Sequence, residues 1–129
     1  MAQYADIVKI EAPSEAVAGS RVDIKVHIKN LYSATIGIMV GGALEYGETP
    51  RPTIEFPNDR ADFPPGETYC FEGYFTMPDS DVTIHAYSYW YGSDGLWHFD
   101  DEMTEDVSLA ELVPEFSQFE ITDYYYAAV

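Results

Sequence analysis

Between positions 21 and 29, apolar and polar residues alternate without a break. Val22, Ile24, Val26 and Ile28 fall on one side, and Arg21, Asp23, Lys25, His27 and Lys29 on the other. A period of two marks a strand with one buried and one solvated face; in a helix the four apolar side chains would spread around the cylinder. Burying them contributes roughly 1.5–3 kcal/mol each, which requires a second layer of structure to cover the apolar face. This segment commits the chain to sheet packing.

The rest of the sequence is punctuated in the same manner. Ile7, Val8 and Ile10 mark a strand over residues 6–11, and residues 14–20 read as a linker with a turn near Gly19. Residues 35–40 read as a strand that meets a turn or bulge at Gly41-Gly42, with residues 44–46 continuing past the kink. Residues 53–56, bracketed by Pro52 and Pro57, read as a short edge strand, and residues 57–65 as a polar loop. Pro65-Gly66 sets a tight turn into residues 68–77, where Tyr69, Phe71 and Phe75 share a face. A turn at 78–81 leads to a strand whose inner row is Val82, Ile84, Ala86, Ser88 and Trp90 and whose outer row is Thr83, His85, Tyr87, Tyr89 and Tyr91. Gly92-Ser93-Asp94-Gly95 is a hairpin loop returning through residues 96–99, followed by a break at 100–102 and a last short strand over 103–109. Seven or eight short strands, with a turn about every ten residues and no convincing helix, predict an all-β sandwich or barrel.

Composition narrows the function classes. The chain has 129 residues, room for one core, and no run approaches the roughly 18 apolar residues of a spanning helix. Residues 61–129 hold fifteen Asp and Glu and no Lys or Arg, so nearly all of the net charge of −17 lies there. Such a surface repels nucleic acid and anionic lipid, because binding to phosphates relies on cationic contacts. Nucleic-acid and membrane functions are therefore not expected. A single cysteine, Cys70, excludes an intrachain disulfide and reads as a small strand residue. The N-terminus has neither the basic nor the apolar region of a secretory signal, so the chain is expected to assemble where it is made or to be a piece of something larger.

No nucleophile elbow, zinc motif or phosphate loop is present, and His27, His85 and His98 each read as solvent-side strand residues. The expectation is a protein that is not an enzyme and has no cofactor. For metal, calcium is the candidate, at Asp79 and Asp81 in one turn or at Asp94, Asp100, Asp101 and Glu102 near the hairpin, although neither cluster has EF-hand spacing. For contacts, Tyr87, Tyr89 and Tyr91 form a row on one strand face, with Trp97 on the returning strand. Three readings stay open: packing under a neighbouring strand, protein recognition, or glycan stacking. From position 114 the chain reads as an extended aromatic C-terminal arm separate from the domain of residues 1–113. Its Phe119, Ile121, Tyr124 and Tyr125 suit an added strand, on the same chain or on a neighbour.

The order of elements resembles the immunoglobulin-like sandwich modules of prokaryotic surface proteins and phage tail or capsid proteins, the cell-adhesion-related bacterial domains among them. The resemblance rests on the strand ending Lys29-Asn30, the turns Phe63-Pro64-Pro65-Gly66-Glu67-Thr68 and Phe75-Thr76-Met77-Pro78-Asp79, and the aromatic strands 82–90 and 96–99; it covers about residues 5–110. It implies an immunoglobulin-like antiparallel β-sandwich serving adhesion, display or assembly, with no catalytic residues to carry over. The function expected is a structural subunit of a virion, phage component or surface filament, whose partners are other copies of itself or other subunits. The alternative is an adhesive or glycan-binding module of a larger surface protein.

Overall fold

The computed structural model describes residues 2–111. Eight strands follow in chain order: β1 (Ala5–Glu11), β2 (Glu15–Val17), β3 (Arg21–Asn30), β4 (Ile36–Glu45), β5 (Arg60–Phe63), β6 (Thr68–Thr76), β7 (Val82–Tyr91) and β8 (Trp97–Ala110). They build two sheets, β1-β3-β6 and β2-β8-β7-β4-β5. All pairings are antiparallel except β2 with β8.

The alternation over residues 21–29 is realised in β3. Its four apolar residues are buried, with Val22 opposite Phe75 and Val26 opposite Phe71 on β6. The facing sheet supplies Ile38, Val40 and Leu44 from β4, Val82, Ile84 and Ala86 from β7, and Val107 from β8. Two buried polar side chains are fully paired, as burial demands. Ser88 Oγ donates to Ala5 O at 2.6 Å, tying β7 to β1 across the sandwich. Asn30 Nδ2 donates to Ala34 O and Phe63 O, while its Oδ1 accepts from Tyr32 N.

Several local expectations are corrected. Gly41-Gly42 makes no turn: β4 runs straight through it, paired with Tyr87 and Ala86 of β7. Gly42 is required instead by close approach, since a Cβ there would lie 3.0 Å from Ile54 and 3.2 Å from the Phe56 ring. Residues 53–56 are not a regular strand; two single bridges, Ala43 to Thr53 and Glu55 to Tyr74, join that segment to both sheets. The polar stretch after Pro57 contains β5, which pairs with β4, and the linker before Gly19 contains β2. The break expected at 100–102 is a bulge inside one continuous β8. Pairing passes from Ser88–Asp101 to Tyr89–Phe99 and leaves Asp100 as the extra residue. The boundary expected at 113/114, the arm and its Phe119, Ile121, Tyr124 and Tyr125 lie outside the described residues.

Candidate functional site

Because side chains alternate along a strand, the outer row of β7 shares one face with alternate residues of its neighbours. Tyr89 stands opposite Phe99 of β8 and Met39 of β4, and Tyr91 opposite Trp97. Tyr87 packs edge-on to Phe99 at 6.1 Å between centroids, Tyr89 does so at 5.8 Å, and Tyr91 meets Trp97 at 5.1 Å. The four sequence candidates among the described residues, Tyr87, Tyr89, Tyr91 and Trp97, are thus brought together on the outside of the five-stranded sheet.

Two glycines of β4 let these rings lie down. A Cβ on Gly41 would meet the Tyr89 ring at 3.5 Å, and one on Gly37 would meet Trp97 Cη2 at 3.5 Å. The indole therefore reaches across β7 to β4, and Arg60 of β5 sits over it at 5.6 Å. No described strand covers the face: Tyr91 is 47% and Phe99 58% exposed. Partial burial raises the Tyr89 hydroxyl above its ordinary pKa, with neighbouring Tyr87 adding to the shift. Sequence reasoning missed Phe99 and Arg60.

No protein-family model matches the sequence, and no curated protein does either. Solved structures do match. The CARDB domain of a Pyrococcus furiosus protein, solved in complex with di-metal ions, aligns at 16% identity over 85% of this chain and 92% of that one, TM-score 0.56. The PKD domain of an M14-like peptidase from a Thermoplasmatales archaeon aligns at 12% identity over 86% and 100%, TM-score 0.50. The Pseudomonas fluorescens alkylpurine DNA glycosylase AlkC aligns at 10% identity over 81% of this chain but only 30% of its own, TM-score 0.57. The fold is an immunoglobulin-like β-sandwich. Hosts as different as a peptidase and a glycosylase show that the sandwich itself carries no one activity.

Most of the acidic residues named above are engaged by backbone N–H groups or by histidines. Asp100, lifted by the bulge, accepts from the backbone of the segment entering β1: Gln3 N at 2.7 Å, Tyr4 N at 2.7 Å and Ala5 N at 2.6 Å. Asp101 accepts from Ile7 N at 3.0 Å. These carboxylates close the outer edge of β1. Asp81 accepts from Leu109 N, and Asp79 stands exposed in its turn. Asp94 pairs with His98, which together with the Leu96 N–H holds its carboxyl below the usual range. Among the described residues no group of three or more His, Cys, Asp or Glu is arranged to hold a metal ion.

The histidines are not equivalent solvent-side residues. His98 faces the side of Trp90, on which it stacks at 4.4 Å. His27 pairs with Glu11 on the other sheet. His85, with its side chain only 12% exposed, is clamped across three strands: Nδ1 lies 2.6 Å from Glu102 of β8 and Nε2 2.7 Å from Glu45 of β4. Ionised carboxylates only accept, so satisfying both requires a proton on each ring nitrogen, the imidazolium form. Burial pulls the His85 pKa down, but the hydrogen bonds to Glu102 and Glu45 more than offset it, and the net direction is up. Those same contacts hold Glu45 below its ordinary value, with Arg51 adding to the effect.

The sign follows from linkage. A raised folded-state pKa gives stability that is full below the unfolded value, about 6.5, and is lost as pH rises through the folded one. Urea melts from about pH 6 to pH 9 should show stability declining in the parent chain, with a flatter profile in His85→Gln. Parallel profiles would remove the clamp as a contributor.

Proposed function

We propose that this chain is a non-enzymatic interaction module, a structural subunit of a surface-exposed or virion assembly, that makes its contacts through the aromatic face of the five-stranded sheet. The observation that carries this reading is the contiguous set Tyr87, Tyr89, Tyr91, Trp97 and Phe99, which no strand among the described residues covers, since large exposed aromatic patches mark interfaces. The opposite outer face, by contrast, alternates Arg21, Asp23, Lys25 and Lys29. The immunoglobulin-like fold, shared with the CARDB and PKD domains, supports an interaction module rather than any one chemistry. The histidines spend ring nitrogens on carboxylates rather than on a hydroxyl or thiol, and burial pushes the Cys70 thiol up rather than activating it. Among the described residues no helix is long and apolar enough to cross a membrane.

Self-association has to overcome repulsion between copies of net charge −17. The screening length falls from about 10 Å at 0.1 M salt to about 3 Å at 1 M, so oligomers should grow as salt rises. Light scattering of the full chain across this range should show that growth. Trp97→Ser combined with Phe99→Ser should hold the protein at monomer mass, because an interface anchor is worth about 2 kcal/mol or more. Equal association of parent and variant would move the contact elsewhere. A parent that stays monomeric throughout would favour the glycan reading. That second reading has its own observation: Arg60 and Asp62 flank Trp97 in an open cleft of ≈ 390 Å³, charged hydrogen-bonding groups beside a flat ring. A glycan panel followed by tryptophan fluorescence would then test it.

A further inference from the structure

At one end of the sandwich, where the aromatic sheet face ends at Tyr91, three rings from distant parts of the chain converge. Tyr4 precedes β1, Tyr32 lies between β3 and β4, and Trp90 ends the inner row of β7. Tyr4 meets Tyr32 at 4.8 Å with 69° between the planes, and meets Trp90 at 4.8 Å with 86°. The three rings line one open cleft of ≈ 390 Å³, completed by Ile36, by Tyr91 at the end of β7, and by Gly92 and Ser93 of the hairpin. Steeply inclined rings around a common space form an aromatic box.

The box is held in place from behind. Tyr4 N is bound by Asp100 and Tyr4 O accepts from Leu31 N. Tyr32 N is bound by the buried Asn30 side chain. Trp90 is backed by His98, which Asp94 fixes. Rings anchored in this way lose little freedom when a ligand enters.

We infer that this cleft binds an alkylammonium cation, a quaternary ammonium or the methylated ammonium end of a lysine side chain. Aromatic faces present negative potential and attract such cations, most strongly when the cation is weakly hydrated. None of the lining residues is charged, so nothing in the wall repels a cation or demands a paired anion. The surrounding charge of −17 raises the local concentration of cations of every kind. The rings select those that shed water easily.

The test uses the full chain carrying Trp97→Phe, so that Trp90 alone reports. It is titrated at constant ionic strength with choline, with the neutral isostere of choline in which carbon replaces nitrogen, and with a peptide bearing trimethyllysine. Saturation of the Trp90 signal by choline or the peptide, at least about tenfold tighter than by the isostere, upholds the site. The tighter of the two charged probes assigns the source, a free small molecule or a protein tail. Tyr32→Ala, which removes an exposed ring from a loop, should weaken binding about fivefold or more while leaving the melting temperature nearly unchanged. Three results would overturn the inference: equal affinity for the neutral isostere, indifference to Tyr32→Ala, or no saturation by either charged probe up to about 50 mM.

Discussion

Replacing Asp100 by alanine should destabilise the fold by about 2–4 kcal/mol, and lower its melting temperature by roughly 10 °C or more. The estimate comes from the groups left behind. The carboxylate serves three backbone N–H donors; that of Gln3 is exposed, and water can replace its partner. Those of Tyr4 and Ala5 are partly buried, and Ala5 itself is fully buried, so their donors would lose a charge-assisted bond with little compensation. The loss would also free the outer edge of β1, which Asp100 and Asp101 now occupy and which would otherwise present unpaired backbone groups. Asp100→Asn retains an acceptor but not the charge and should fall between parent and alanine variant in a thermal melt. The parent's melting temperature in the alanine variant would mean that solvent satisfies these donors equally well.

The same residue shows where sequence reasoning stops. Asp100, Asp101 and Glu102 read locally as an acidic cluster, a candidate calcium ligand set. Their partners lie more than ninety positions away for the first two, and on a neighbouring strand for the third. Nothing in the local spacing reveals a bulge that turns Asp100 toward the amides entering β1. Strands β3, β6 and β7 were legible because each carries an apolar row of period two. Strand β5 was not, since Arg60-Ala61-Asp62-Phe63 buries only Phe63 and is defined by its ladder with β4. Strand β2 has three residues and depends on pairing with the far end of β8. The tyrosine row and Trp97 were legible as a shared face by the same periodicity. Phe99 obeys that rule two positions after Trp97, so its signal was present; Arg60 joins the face only because β5 exists.

Gly42 and Gly73 lead to the second large effect. Gly42 belongs to the inner row of β4 and Gly73 to that of β6, on opposite sheets. A Cβ on Gly73 would lie 2.6 and 2.7 Å from carbons of the Phe56 ring and 2.9 Å from Glu55 O, and a Cβ on Gly42 would lie 3.2 Å from that ring. Phe56 therefore occupies a slot made by the absence of two side chains, and the segment bearing it is sealed to β6 by paired Glu55–Tyr74 backbone bonds of 3.0 and 2.9 Å. Overpacking a filled site costs about 1–3 kcal/mol. Here the ring cannot shift without also straining those backbone bonds, so Gly73→Val should cost about 3 kcal/mol in urea unfolding. The decisive measurement is a double-mutant cycle. In a Phe56→Ala background the slot is empty, and the same Gly73→Val change should cost at least about 1 kcal/mol less, a coupling that marks two residues in contact. Additive costs would show that valine is opposed by the β6 backbone alone, and that the ring is not what the two glycines accommodate.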